Sequence, residues 1–208
     1  MEIYAFGSVV RGEVDKYSDI DLLILKKLEE NINEVDKSQF SIYTFQRITE
    51  LWNEGNPFAW HLFIEAKCIY TPNSSSFLKS LGTPQKYDNT LLDLHKFYEL
   101  FRSSKVSILN EEYSIDFDLS MIFLAIRNFA SCFSLGFLGK FQFSRDSALS
   151  LGQYSIQIAE KNYERLKESR LLSTRGLGNR VSKSELNDIV SDFPKIEKWF
   201  NELLTLVR

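Results

Sequence analysis

The sequence predicts an α+β chain: a small mixed sheet with its own helices, followed by a helical bundle. Two observations carry this expectation. Short alternating runs rich in β-branched and aromatic residues are confined to roughly the first seventy positions, at Ile3–Phe6, Asp19–Leu25, Phe40–Phe45 and Lys67–Thr71. Beyond them the apolar residues recur at helical spacing, as in Tyr87, Leu91, Leu94, Tyr98 and Phe101. The polar, turn-forming stretch Thr71-Pro72-Asn73-Ser74-Ser75-Ser76 and the break at Gly82-Thr83-Pro84 separate the two patterns, so domains are expected at 1–76 and 84–208.

The first strand, Ile3 to Phe6, runs into Gly7-Ser8. Glycine lacks a Cβ, so the chain can turn sharply there and bring backbone N–H groups close to a phosphate, to which Ser8 adds a hydroxyl. Asp19 and Asp21 open the next strand on either side of Ile20, and strand alternation sends both carboxylates to one face. Adjacent carboxylates repel unless a cation lies between them, and hard oxygen ligands suit Mg²⁺ that also carries phosphates. Arg11, four residues after Gly7, is a candidate phosphate donor.

After that strand, Leu28, Ile32 and Val35 are spaced for a short amphipathic helix within Lys26–Ser38. Phe40–Phe45 makes a third strand. One helix through Glu50, Leu51 and Trp52 is expected to end near Gly55, another to start at Pro57, and a last strand to cover Lys67–Thr71. In the second half, Asp116–Phe133 is apolar on nearly all sides and reads as a central helix. Ser144 looks like the N-cap of a helix carrying Ala148, Leu149, Leu151, Tyr154, Ile158 and Leu166. The final helical stretches should divide near Pro194.

Net charge is −3, which argues against a dedicated nucleic-acid binder, since such proteins carry a basic excess to displace counterions. The two cysteines, Cys68 and Cys132, lie far apart in apolar surroundings and read as buried thiols rather than a disulfide or metal site. No signal segment precedes the first strand, and the apolar run Leu119–Ile126 is short and flanked by Asp118 and Arg127. A cytoplasmic protein without a membrane span is expected.

Gly7-Ser8, ten residues, then Asp19-Ile20-Asp21 resembles the signature of the DNA polymerase beta-like nucleotidyltransferase superfamily, and Gly7-Ser8-Val9-Val10-Arg11-Gly12 with Ser18-Asp19-Ile20-Asp21-Leu22-Leu23 is most similar to its minimal bacterial members. The resemblance implies transfer of a nucleoside monophosphate from an NTP, with ATP favoured by family habit, to a hydroxyl acceptor. It makes Asp19 and Asp21 the catalytic ligands of Mg²⁺ or Mn²⁺, with Gly7, Ser8 and Arg11 on the nucleotide. The acceptor stays open between a protein side chain, a small molecule and an RNA end, and a protein partner or homo-oligomer stays open too. The helical half resembles the companion bundles of minimal and antibiotic nucleotidyltransferases, the HEPN bundle among them. The ribonuclease form of that bundle has an Arg with a His a few residues on, whereas Arg127 is followed by Asn128 to Ser134 with no His.

One departure stands out. The superfamily places a third acid on the strand after the Asp-x-Asp strand, and Gln39–Phe45 contains none. Asp36 and Glu65 lie nearby in sequence without matching the pattern, and Glu111, Glu112 and Asp116 form an acid-rich turn in the helical half that would supply one. A second reading follows, a nucleotide-binding interaction protein, such as an antitoxin-like partner or sensor, with weak or no turnover. Arg127, in an apolar helix, is expected to pair with an acid of a neighbouring helix. His61 and His95 read as structural, without a carboxylate or cysteine at ligand spacing. The basic loop Ser173–Arg180 follows a helix, so its Gly-Leu-Gly is no dinucleotide fingerprint.

Overall fold

A computed structural model describes residues 1–13, 20–31, 40–110 and 114–207. The chain divides into two compact units, Met1–Asp88 and Asn89–Arg208.

In the first unit, strands β1 (Glu2–Phe6), β2 (Asp21–Lys26), β3 (Phe40–Thr44) and β4 (Lys67–Tyr70) form a sheet in the order β3-β2-β1-β4. β1 runs antiparallel to β2 and β4, and β2 pairs parallel to β3, so the sheet is mixed. The register sets Tyr4 opposite Leu23 and Phe6 opposite Asp21, so these four residues share a face. That face is covered by helices α2 (Phe45–Asn53) and α3 (Pro57–Glu65), and Ile48, Leu51, Trp52, Ala59 and Leu62 pack with Tyr4, Phe6, Leu23 and Leu25 into one core. Local chemistry fixes both helix starts. Thr44 Oγ1 accepts from Arg47 N at 3.0 Å, and Asn56 Oδ1 accepts from Phe58 N at 2.9 Å with Pro57 at the first helical position.

Residues after position 76 also contribute to this core. The helical turn α4 (Phe77–Ser80) sends Leu78 into the apolar cluster. Glu2, only 2% exposed, accepts from Phe77 N at 2.8 Å, from Thr71 Oγ1 at 3.0 Å and from the Tyr4 hydroxyl. Burial and the bond to Glu2 push the Tyr4 phenol well above its ordinary pKa. Trp52 Nε1 and Trp60 Nε1 donate to the carbonyls of Gly82 and Gln85. A polar composition marked a turn there, but it could not show these long-range bonds.

Two smaller expectations change. Residues 27–31 form turn and irregular backbone, with Lys26 Nζ donating to the carbonyls of Leu28 and Glu30, while the rest of the expected helix lies outside the described residues. Cys68 is exposed, because β4 is an edge strand with little over it; Cys132 is buried, and both are free thiols.

The second unit consists of α5 (Thr90–Leu109), α6 (Ile115–Gly136), α7 (Glu160–Arg175) and α8 (Lys183–Leu206). α6 is the central helix, with Leu119, Ile122, Ile126, Phe129 and Phe133 buried. It is long and apolar enough to cross a bilayer, but most of its apolar stretch is buried inside the unit, so packing accounts for its composition. Phe101, Phe129, Phe193 and Phe200 meet at ring-centroid distances of 4.6 to 6.0 Å.

Ser144 does not start an α-helix. Residues 147–149 and 152–154 are single 3-10 turns, and α7 begins only at Glu160. Gly152 has φ +65°, and Ser155 Oγ accepts from Leu151 N while donating to Leu149 O, so turn bonds displace helical ones. Pro194, in contrast, sits inside a continuous α8. The buried stripe Ile189, Phe193, Ile196, Phe200, Leu203 runs straight through it and outweighs the roughly 3 kcal/mol of an interior proline.

Candidate active site

β1 ends at Phe6, and Gly7 takes φ +77°, ψ −153°, a conformation essentially reserved for glycine. The chain then makes one helical turn, α1 (Ser8–Arg11), with Val10 N and Arg11 N both donating to Gly7 O. Gly12, at φ +76°, ψ +13°, ends it. Gly7 is required for a second reason. A Cβ there would lie 2.1 Å from Asp21 Oδ2 and 3.1 Å from Asp21 Cγ, so the carboxylate rests directly against the glycine backbone. The antiparallel register produces this contact by setting Asp21 opposite Phe6, the residue before the turn. Gly7, Ser8 and Asp21 are thereby brought together, with Ser8 8% exposed. Asp19 lies outside the described residues.

Arg11 Nη1 donates to Glu65 Oε2 at 2.6 Å, and its Nε to Glu13 Oε2 at 2.8 Å. Glu65 is the last residue of α3 and only 8% exposed. Its Oε2 also bonds His61 Nε2 at 2.8 Å. Burial pushes the Glu65 carboxyl upward, but the hydrogen bond and electrostatic interaction with His61, and those with the Arg11 guanidinium, outweigh it, and the group lies below the ordinary carboxylate range. The reading of His61 as solitary is therefore corrected: its carboxylate stands four residues on, one helical turn away. That spacing was the available signal, and Arg11 as the third member was not legible without the fold.

On β3 the register pairs Leu23 with Ser41 and Leu25 with Tyr43, so Ser41 and Tyr43 share the face of Asp21, and neither is an acid. Among the described residues, no three His, Cys, Asp or Glu side chains are grouped to hold a metal ion. Asp36, Glu111 and Glu112 lie outside the described residues. Asp116 Oδ1 accepts from Val181 N at 2.9 Å.

Arg127 bonds backbone carbonyls of the segment that follows α6. Its Nη2 donates to Phe143 O at 2.8 Å and its Nε to Ser144 O at 3.4 Å, anchoring the segment that follows α6. The basic loop is likewise tied down: Gly176, at φ +67°, ends α7, and Asn179 O accepts from Arg165 Nη2 at 2.8 Å. His95 is exposed on α5.

Fold and site together define an α+β protein with a glycine turn and a strand carboxylate meeting at one end of a mixed sheet. Residues 1–124 match the family described as nucleotidyltransferase domain, and the chain belongs to that family. No curated protein matches the sequence. Membership supports transfer of nucleotidyl groups as the general chemistry of the chain.

Proposed function

We propose that this chain transfers a nucleoside monophosphate from an NTP, ATP being the first candidate, to a hydroxyl acceptor with Mg²⁺ or Mn²⁺. The observation that supports this most is the contact of the Gly7 backbone with the Asp21 carboxylate, which sets a turn that phosphates can approach beside an acid suited to a hard cation. Asp21, together with Asp19 of the same Asp-x-Asp motif, would hold the metal. When bound, it neutralises charge on the phosphate oxygens during in-line attack at the α-phosphorus. Gly7 lets the backbone come close to the triphosphate, Ser8 offers its hydroxyl, and Arg11 presents a guanidinium at the end of α1. Catalysis on this reading is positioning and electrostatic stabilisation.

The residues of β3 favour a second reading alongside it. Ser41 and Tyr43 face the side of Asp21 where an acid would complete the metal ligands and activate the acceptor, so nucleotide binding with slow turnover is expected. Loss of a general base costs on the order of 10²–10⁴ in rate. A protein of this kind serves as a nucleotide-dependent partner or sensor. Incubation with labelled ATP, GTP, CTP and UTP in Mg²⁺ or Mn²⁺ tests both. Pyrophosphate release with label on an acceptor supports the transferase, binding without release supports the second reading, and no metal-dependent binding of any NTP refutes both.

A further inference from the structure

The turn between β1 and α1 is held from both ends by two side chains of α3. On the near side, the His61 ring packs edge-on against Phe6, with centroids 5.5 Å apart and planes at 80°. On the far side, Glu65 Oε2 takes Arg11 Nη1 at 2.6 Å. His61 and Glu65 are themselves bonded at 2.8 Å, and Arg11 and His61 converge on the same carboxylate oxygen. Phe6, the glycine turn, Arg11, Glu65 and His61 thus form a closed circuit. Phe58 adds a second edge contact to His61 at 6.4 Å.

The circuit matters because α1 has four residues, far too few to hold a helical conformation unaided. Its position has to be imposed from outside, and Glu65 is well suited to do so. It is a carboxylate 8% exposed bonded to a guanidinium 20% exposed, so solvent screens the pair little. Glu13, by contrast, is 53% exposed and adds at most a weak, solvent-screened surface pair.

We infer that His61 and Glu65 are positioning residues of the nucleotide turn, fixing Gly7, Ser8 and Arg11 in the arrangement that receives the triphosphate. The inference rests on the proposed reading of that turn as the nucleotide site. Its physical basis is preorganisation: a turn already ordered before the ligand arrives loses less freedom on binding, and binding groups must stay within about 0.5 Å of their productive positions.

The test uses the full chain and two readouts, hydrogen exchange of the Val10 and Arg11 amides without nucleotide, and calorimetric ATP binding with Mg²⁺. Glu65→Gln is expected to speed exchange at those amides about tenfold while the β2 amides keep their rates, and to weaken ATP binding about tenfold. Arg11→Lys should weaken binding similarly. The double variant should bind no worse than the weaker single variant, because both changes open the same circuit. His61→Gln should shift both readouts in the same direction, and it carries the test if Glu65→Gln fails to fold.

Unchanged turn exchange in Glu65→Gln overturns the inference, as does a loosened turn with unaltered ATP affinity. Additive losses in the double variant overturn it too, since they would make Glu65 a contributor independent of Arg11. If the wild-type protein binds no NTP, the proposed function fails, and the exchange readout still decides whether α3 holds the turn.

Discussion

Substituting Gly7 by alanine isolates the central contact of the site. The backbone there sits at φ +77°, ψ −153°, where a side chain costs on the order of 1–3 kcal/mol. The new methyl would also fall 2.1 Å from Asp21 Oδ2, where ordinary contact begins near 3.4 Å. The Asp21 carboxylate must swing away, at a rotamer cost of about 0.5–1.5 kcal/mol. Together these give a loss of about 1.5–4.5 kcal/mol in the stability of the first unit. Gly12→Ala is the internal control, since Gly12 also has positive φ but a Cβ there meets nothing within 4 Å. It should cost about 1–2 kcal/mol and leave the carboxylate in place. The two units need not unfold together, so the loss is best read from hydrogen exchange of β1 and β2 amides in urea, next to calorimetry of ATP with and without Mg²⁺. Gly7→Ala should abolish metal-dependent nucleotide binding, and Gly12→Ala should preserve it. Equal destabilisation by both variants, with binding intact in both, would refute the argument that Gly7 exists to admit Asp21.

Three other expectations bear on separate parts of the chain. Asp21→Asn should weaken nucleotide binding in Mg²⁺ while leaving circular dichroism and sheet-amide exchange unchanged; equal affinity in the mutant would sink the metal assignment. The Glu65 carboxyl is depressed in the folded state, so its stabilisation is fully present above the unfolded value of about 4.3 and is lost as pH falls through the lower folded value. The stability gap between wild type and Glu65→Gln should therefore close as pH falls below about 4, and a gap that widens there would contradict the sign. Arg127→Ala should cost about 1.5–3 kcal/mol through its lost bond to Phe143 O, measured by urea unfolding, and purified protein should show no RNA cleavage that this change removes.

What the sequence by itself determined is what short-range chemistry determines. Gly7 followed by Ser8 at a strand end, and Asp21 opening the next strand, are local patterns that the hairpin register then brings into contact. The strands Phe40–Thr44 and Lys67–Tyr70 and the central helix Ile115–Gly136 are legible for the same reason, since alternation and helical period are properties of neighbouring residues. The tertiary structure decided everything that depends on pairs distant in the chain. Arg11 reads as a free phosphate donor until Glu65, fifty-four residues on, is seen to hold it. Nothing local distinguishes a proline that ends a helix from Pro194, whose helix survives because apolar side chains on both sides of it are buried in one core. Nor does the polar run after Thr71 reveal that Phe77 and Leu78 return to the sheet, drawn there by a buried carboxylate on the first strand and by the space between that strand and α2. Local propensity sets which element a segment forms, and the burial of one segment against another sets where elements stop and which charges end up paired.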